Sequence, residues 1–116
     1  MSKETIAQDI VEAFSNCKED TLFKRKDIIK IVTDFCNCNP TSVIPSDYCY
    51  NRINDGIKNN FETRVHLFDY IGINCYKYVG PNKKYSCIVM HKPKKGAEYQ
   101  AGEMKNGIFN PLESYK

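Results

Sequence analysis

The sequence predicts an α+β fold of the winged helix-turn-helix type: three helices, then a β-hairpin wing and a short C-terminal β extension. Three observations predict it. Up to about residue 57, apolar residues recur at spacings of three and four, the mark of amphipathic helices. From about residue 64 the runs become β-branched and aromatic, separated by turn-like spacers. Helices before a hairpin is also the element order in which a third helix reads DNA and the hairpin serves as a wing. A chain of 116 residues fits one compact unit, so residues 1–116 read as a single domain, helical over about 3–57 and β over about 64–110.

The first helix is expected over residues 5–16, where Ile6, Ile10 and Phe14 form a stripe with Val11 beside it. "SNCKEDT" then makes a polar exit loop. The second helix opens at Lys24, with Phe23 and Ile28 at the positions of a hydrophobic staple and Asp27 near the positive helix end. Ile28, Ile29, Val32, Phe35 and Cys36 line its core face, and "NCNP" stops it because Pro40 disfavours helical geometry at the residue before it. The third helix is expected after Pro45, with Ser46 as N-cap, Asp47 in the first turn and Gly56 as the left-handed terminator. "RVHLFDYIG" and "NCYKYVG" read as a hairpin joined at "GIN". "YSCIVMH" adds a strand, "HKPKKG" a basic loop, and the last segment a hairpin turning at Asn106-Gly107.

On the third helix Cys49, Ile53 and Ile57 share one face at four-residue spacing and are expected in the core. The other side carries Asp47, Tyr48, Asn51, Arg52, Asn54 and Asp55. Arginine forks onto guanine, asparagine onto adenine, and a tyrosine hydroxyl reaches a phosphate oxygen. Tyr48, Asn51, Arg52 and Asn54 are therefore the candidate reading residues. The two aspartates oppose this, because they repel phosphate, and a solvated face on which Tyr48 and Arg52 merely stack is the plainer alternative. Lys77 in the hairpin, with Lys83 and Lys84 after it, are candidate phosphate contacts or simply solvated lysines.

Charge supports a later basic surface weakly. The net charge is +3; residues 1–20 hold two Lys and five acids, leaving fifteen basic and nine acidic residues in 21–116. No apolar run approaches the ~18 residues of a membrane span, and the first ten residues lack signal-peptide features, so a cytoplasmic setting away from membranes is expected. Six cysteines without an export signal read as reduced thiols. Cys36 and Cys38 together with Cys87, His91 and either Cys75 or His66 contain enough ligands for a zinc site, but no knuckle spacing, so buried thiols are the preferred reading and no metal or other cofactor is expected. No glycine-rich phosphate loop or HExxH occurs, and nothing local marks an activated cysteine, so no catalytic residue is assigned.

The runs "IPSDYCYNRIN", "HLFDYIG", "YKYVGPN" and "HKPKKGAEYQAGE" resemble a group of bacterial and phage-associated winged-helix domains of unknown function, found alone or beside restriction or nuclease domains. The likeness spans about residues 21–107 and is most specific at "PSDYCYN". It implies the winged-helix fold and a DNA-related setting in a prokaryote or its phage, without catalytic residues to transfer. Lys24 stands where that group favours Ser or Thr, and Met104 where it favours Trp.

The sequence thus leads to a non-enzymatic protein that binds duplex DNA, with a homodimer compatible. The rival is a protein-interaction module, such as a phage-encoded inhibitor or an accessory subunit of a defence system, since eight tyrosines suit a protein interface equally well.

Overall fold

Among the described residues there are two α-helices, with a short strand between them, and six further strands after them, the seven strands forming two sheets, one of them curled into a half-barrel. The computed structural model describes residues 3–54, 61–62, 64–113 and 115, with the side chains of residues 3–6 left out of the description. Helix α1 (Lys3–Ala13) packs on helix α2 (Arg25–Cys36), burying Ile10 and Phe14 against Ile28 and Val32. The predicted entrance of α2 forms: Lys24 is the N-cap, and its backbone N–H donates to Asp27 Oδ2 at 3.0 Å. Asn37 ends α2 in the left-handed conformation, at φ 56°.

The first sheet runs β1-β4-β3, from β1 (Leu22–Phe23), β3 (Phe68–Gly72) and β4 (Cys75–Tyr78), all antiparallel. At the tip of the β3–β4 hairpin Asn74 turns with φ 59°, and its side-chain oxygen accepts the Arg25 N–H at 2.8 Å. The second sheet runs β2-β5-β6-β7, from β2 (Arg52–Asn54), β5 (Cys87–Lys92), β6 (Tyr99–Lys105) and β7 (Ile108–Pro111). β6 and β7 turn at Asn106 and Gly107, both with positive φ, as the sequence predicts.

The expected third helix does not form. Pro40–Ser42 and Pro45–Tyr48 are short 3₁₀ turns, and the chain then enters β2, which pairs parallel to β5. Ile44, not Ser46, is the N-cap of the second turn. The expected terminator Gly56, together with Asp55 and Ile57, lies outside the described residues. The winged helix-turn-helix assignment is therefore overturned: the element that would read DNA is extended chain.

The physical reason lies in where the side chains go. A nine-residue helix is marginal by itself, and Tyr, Cys, Asn, Asp and Ile are indifferent helix formers. Cys49 and Ile53 are both fully buried, as their spacing implied, but in different cores. Cys49 joins Phe14, Val32 and Phe68 under the helices, whereas Ile53 joins Val89, Ala101 and Met104 inside the half-barrel. Only extended backbone reaches from one to the other.

Candidate functional site

The run Tyr48–Asn54 acts as a seam between the sheets. Leu67 N–H donates to Tyr48 O at 2.7 Å, Tyr50 N–H to Phe68 O at 2.8 Å, and Met90 N–H to Asn51 O at 3.0 Å. The first two bonds join the run to the first sheet and the third joins it to the second.

All four candidate reading residues are engaged within this seam. Tyr48 is 2% exposed, with the Arg64 guanidinium 4.7 Å above its ring. Asn51 pairs twice with Tyr70: its Oδ1 accepts the backbone N–H at 2.8 Å, and its Nδ2 donates to the backbone carbonyl at 2.9 Å. Its amide therefore stands in for a neighbouring peptide along β3. Arg52 lies 4.2 Å over the Tyr70 ring and bonds Glu98 Oε1 at 2.7 Å. Asn54 donates to Ser46 Oγ at 2.6 Å and Asp47 Oδ1 at 2.9 Å.

The three lysines lie elsewhere. Lys77, on β4, sits 3.8 Å from Asp20, and Lys83 pairs with Glu19. That contact with Glu19 raises the Lys83 pKa from its ordinary value. Lys83 and Lys84 line a shallow groove of about 260 Å³ with Glu19, Asp20, Val79 and Tyr85.

Beside this groove lies a more polar crevice of about 220 Å³, walled by Tyr50, Arg64, His66, Asn82 and Lys83, with Glu62 exposed. Two contacts of one hydroxyl build it: Tyr50 Oη donates to Gly80 O at 2.5 Å and accepts the Lys83 N–H at 3.1 Å, fixing the loop that carries Lys83. Asn82 bends that loop at φ 56°. On the opposite wall the Arg64 side chain is one-tenth exposed and lies 3.9 Å from Asp47. The His66 ring packs between Phe61 and Tyr50, with centroids 4.6 and 5.3 Å away.

Arg52 Nε, Arg64 Nε and His66 Nδ1 are buried away from solvent with no hydrogen-bond partner. Each such atom costs roughly 1–3 kcal/mol unless something pairs with it. Burial lowers the His66 pKa to about 4; backbone bonding at Phe61 and Cys49 works against this, and the Arg64 charge adds to it. The ring is therefore neutral at pH 7.

Sequence reasoning placed no binding role on Arg64 or Asn82, and weighed His66 only as a metal ligand. The available signal was "RVHLF", in which Arg and His at alternate positions of a strand-like run share one side.

The sulfur atoms are dispersed. Cys36 and Cys38 form a disulfide, correcting the expectation of six thiols, while Cys17, Cys49, Cys75 and Cys87 are free. Burial pushes the Cys49 thiol well above its ordinary range, and burial with Asp69 nearby pushes Cys87 to about 12, so neither is an activated nucleophile. Among the described residues no three or more His, Cys, Asp or Glu are grouped to hold a metal ion. No helix among them is long and apolar enough to cross a membrane.

Comparison with known proteins agrees with the uncharacterised, bacterial side of the resemblance and gives no support to its winged-helix side. "Uncharacterized protein YnaC" of Bacillus subtilis (strain 168) is 38% identical over 111 residues, covering 95% of this chain. The chain spans 40% of that relative's length. No solved structure matches. The family model described as "Domain of unknown function (DUF7225)" matches residues 5–110, and the chain belongs to that family.

Proposed function

We propose that the chain is a non-enzymatic binding module that engages duplex DNA through its phosphate backbone, using the 80–85 loop and not a helix in a groove. What carries this reading is the approach of Lys105, itself 3.9 Å from Glu103, to the Lys83–Lys84 pair. The β6–β7 turn at Gly107 packs against the backbone of Lys83 and Lys84, bringing Lys105 to the same end of the molecule. Exposed lysines there are suited to sequence-independent phosphate contacts, whereas Tyr48, Asn51, Arg52 and Asn54 are held inside.

The test is binding of mixed-sequence duplex at two salt concentrations. A Kd no weaker than about 10⁻⁴ M, with affinity falling steeply as salt rises, is expected. Lys83→Ala with Lys84→Ala should weaken all sequences alike and reduce the salt slope by about two. Absence of binding at low salt ends the proposal.

A second reading, a protein-interaction module, is favoured by a different surface. Leu22, Ile71 and Ile73 are exposed on the first sheet, Ile73 by 93% at the hairpin tip. Exposed aliphatic groups near a strand edge suit a protein partner better than a polyanion.

A further inference from the structure

We propose that Cys36 and Cys38 form a reversible dithiol–disulfide couple at the end of α2, a redox site that exchanges with thiols and disulfides from solution. The proposal is independent of the DNA reading and of the 80–85 loop. Oxidation in this chain is selective. Cys36 and Cys38 are joined, with their Cα atoms 5.3 Å apart, while Cys17, Cys49, Cys75 and Cys87 remain thiols. Position accounts for the difference. Cys49 is fully buried, and burial holds the Cys17, Cys49 and Cys87 thiols above their ordinary range, which suppresses the reactive thiolate. Cys75, at the start of β4, is partly exposed but has no cysteine bonded to it. Cys36 and Cys38 are partly exposed too, and Phe35, Asn37 and Asn39 around them are exposed, so a small thiol meets the bond at the surface.

The bland alternative is a staple of the fold, and the surroundings argue against it. The bond closes a loop of only three residues, so its chain-entropy gain is roughly a third of that from a hundred-residue loop. The chain on either side is held without it. Asn37 ends α2 in the left-handed conformation, its N–H donating to Thr33 O at 2.9 Å. Asn39 Oδ1 accepts the Thr41 N–H at 3.0 Å and the Thr41 hydroxyl at 2.8 Å, which starts the next turn. The core beneath is built by Phe14, Ile28, Val32 and Val43, and the two cysteines pack against it only as partly buried neighbours. Linkage is reciprocal: a bond that adds little to folding receives little protection from folding, so the native chain can be reduced.

The exchange runs in two steps. A thiolate of the reductant attacks one sulfur of the pair and forms a mixed disulfide with it; the Cys36–Cys38 bond breaks, and the other sulfur leaves as a thiolate that takes up a proton. A second reductant thiolate then attacks the reductant's own sulfur in the mixed disulfide, releasing the second cysteine as a thiol and the reductant as a disulfide. Two electrons and two protons pass from two reductant thiols to the pair, and a disulfide oxidant drives the same steps in reverse.

The experiment equilibrates the folded chain at pH 7 with mixtures of reduced and oxidised glutathione, traps free thiols with N-ethylmaleimide, and reads the labels by intact mass and peptide mapping. Cys36 and Cys38 should become labelled together as the reduced fraction rises, and lose the label again when oxidised glutathione is restored before trapping. Buried Cys49 should stay unlabelled throughout. Reduction should leave the helical circular dichroism in place and lower the melting temperature by at most about 10 °C. Cys17→Ser with Cys75→Ser should leave the glutathione ratio at half-reduction unchanged, because neither thiol takes part. Cys36→Ser should accumulate a glutathione adduct on Cys38 that the parent resolves by closing its own bond; if that variant does not fold, the titration of the parent decides alone. A bond that opens only after denaturation, or whose reduction unfolds the chain, is a staple and overturns the proposal. Two free thiols in excess oxidised glutathione, or a lasting adduct on either cysteine of the parent, show that the pair does not close and overturn it as well.

Discussion

Asn51 illustrates what one residue can conceal. Its type suggested a hydrogen-bonding fork for adenine, and it does use that fork, but on the Tyr70 peptide. An asparagine amide has the same donor and acceptor as a peptide group, so residue type alone does not separate reading a base from completing a sheet. His66 has a more measurable signature. Its pKa is lowered from 6.5 to about 4, chiefly by burial, among Tyr50, Phe61, Arg64, Glu62 and Lys83. Because the folded value is depressed, the unfolded chain binds more protons between pH 6.5 and about 4. The resulting stability is present above pH 6.5, falls as pH drops toward 4, and stops changing below that, a total of at most about 3 kcal/mol. Urea unfolding at pH 7 and pH 4.5 should show this loss, and His66→Gln should remove most of the difference. An unchanged difference in that variant would assign the pH dependence to other groups.

At the scale of elements, the sequence was readable where a local rule had no competitor. The start of α2 at Lys24 and Asp27, the β3–β4 hairpin, β5, and the turn at Asn106-Gly107 all depend on residues within a few positions of one another. The third helix failed because Cys49 and Ile53 satisfy helical spacing by burial in two separate cores, information that resides in Phe14, Phe68, Val89 and Met104. Strand β1 was missed because two residues carry no period, and its pairing to β4 is long-range. The crevice was largely hidden for the same reason, since it forms only when Arg64 and His66 meet the loop around Lys83. Gly102 on β6 gives an element-scale test. A Cβ there would lie 2.3 Å from Asn110 O and 2.8 Å from Pro111 Cα, both backbone atoms of β7. Gly102→Ala must therefore displace β7, costing about 1–3 kcal/mol or more. Amide hydrogen exchange should rise in residues 108–111 and stay unchanged in α2. Unaltered protection of β7 would contradict the close approach.

For the whole molecule, the central consequence of the seam is mechanical coupling between two cores that share few side chains. One core holds the helices on the first sheet, and the other fills the half-barrel. Between them run the backbone bonds of residues 48–51 and the Asn51 amide, with Tyr50 Oη reaching Gly80 and Lys83. If these bonds transmit stability, Ile28→Ala in the first core and Met104→Ala in the second should each cost about 2–5 kcal/mol. Both should lower a single transition seen alike by far-ultraviolet circular dichroism and tyrosine fluorescence. Asn51→Ala leaves the Tyr70 N–H and carbonyl without their partners and should destabilise by about 2–4 kcal/mol. Its distinguishing effect is on cooperativity. In the Asn51→Ala background, Met104→Ala should melt the half-barrel ahead of the helices, so that the two probes diverge. Separate transitions in the parent would show that the seam does not couple the cores. Coincident transitions in the double variant would place the coupling in the backbone ladder and not in the asparagine.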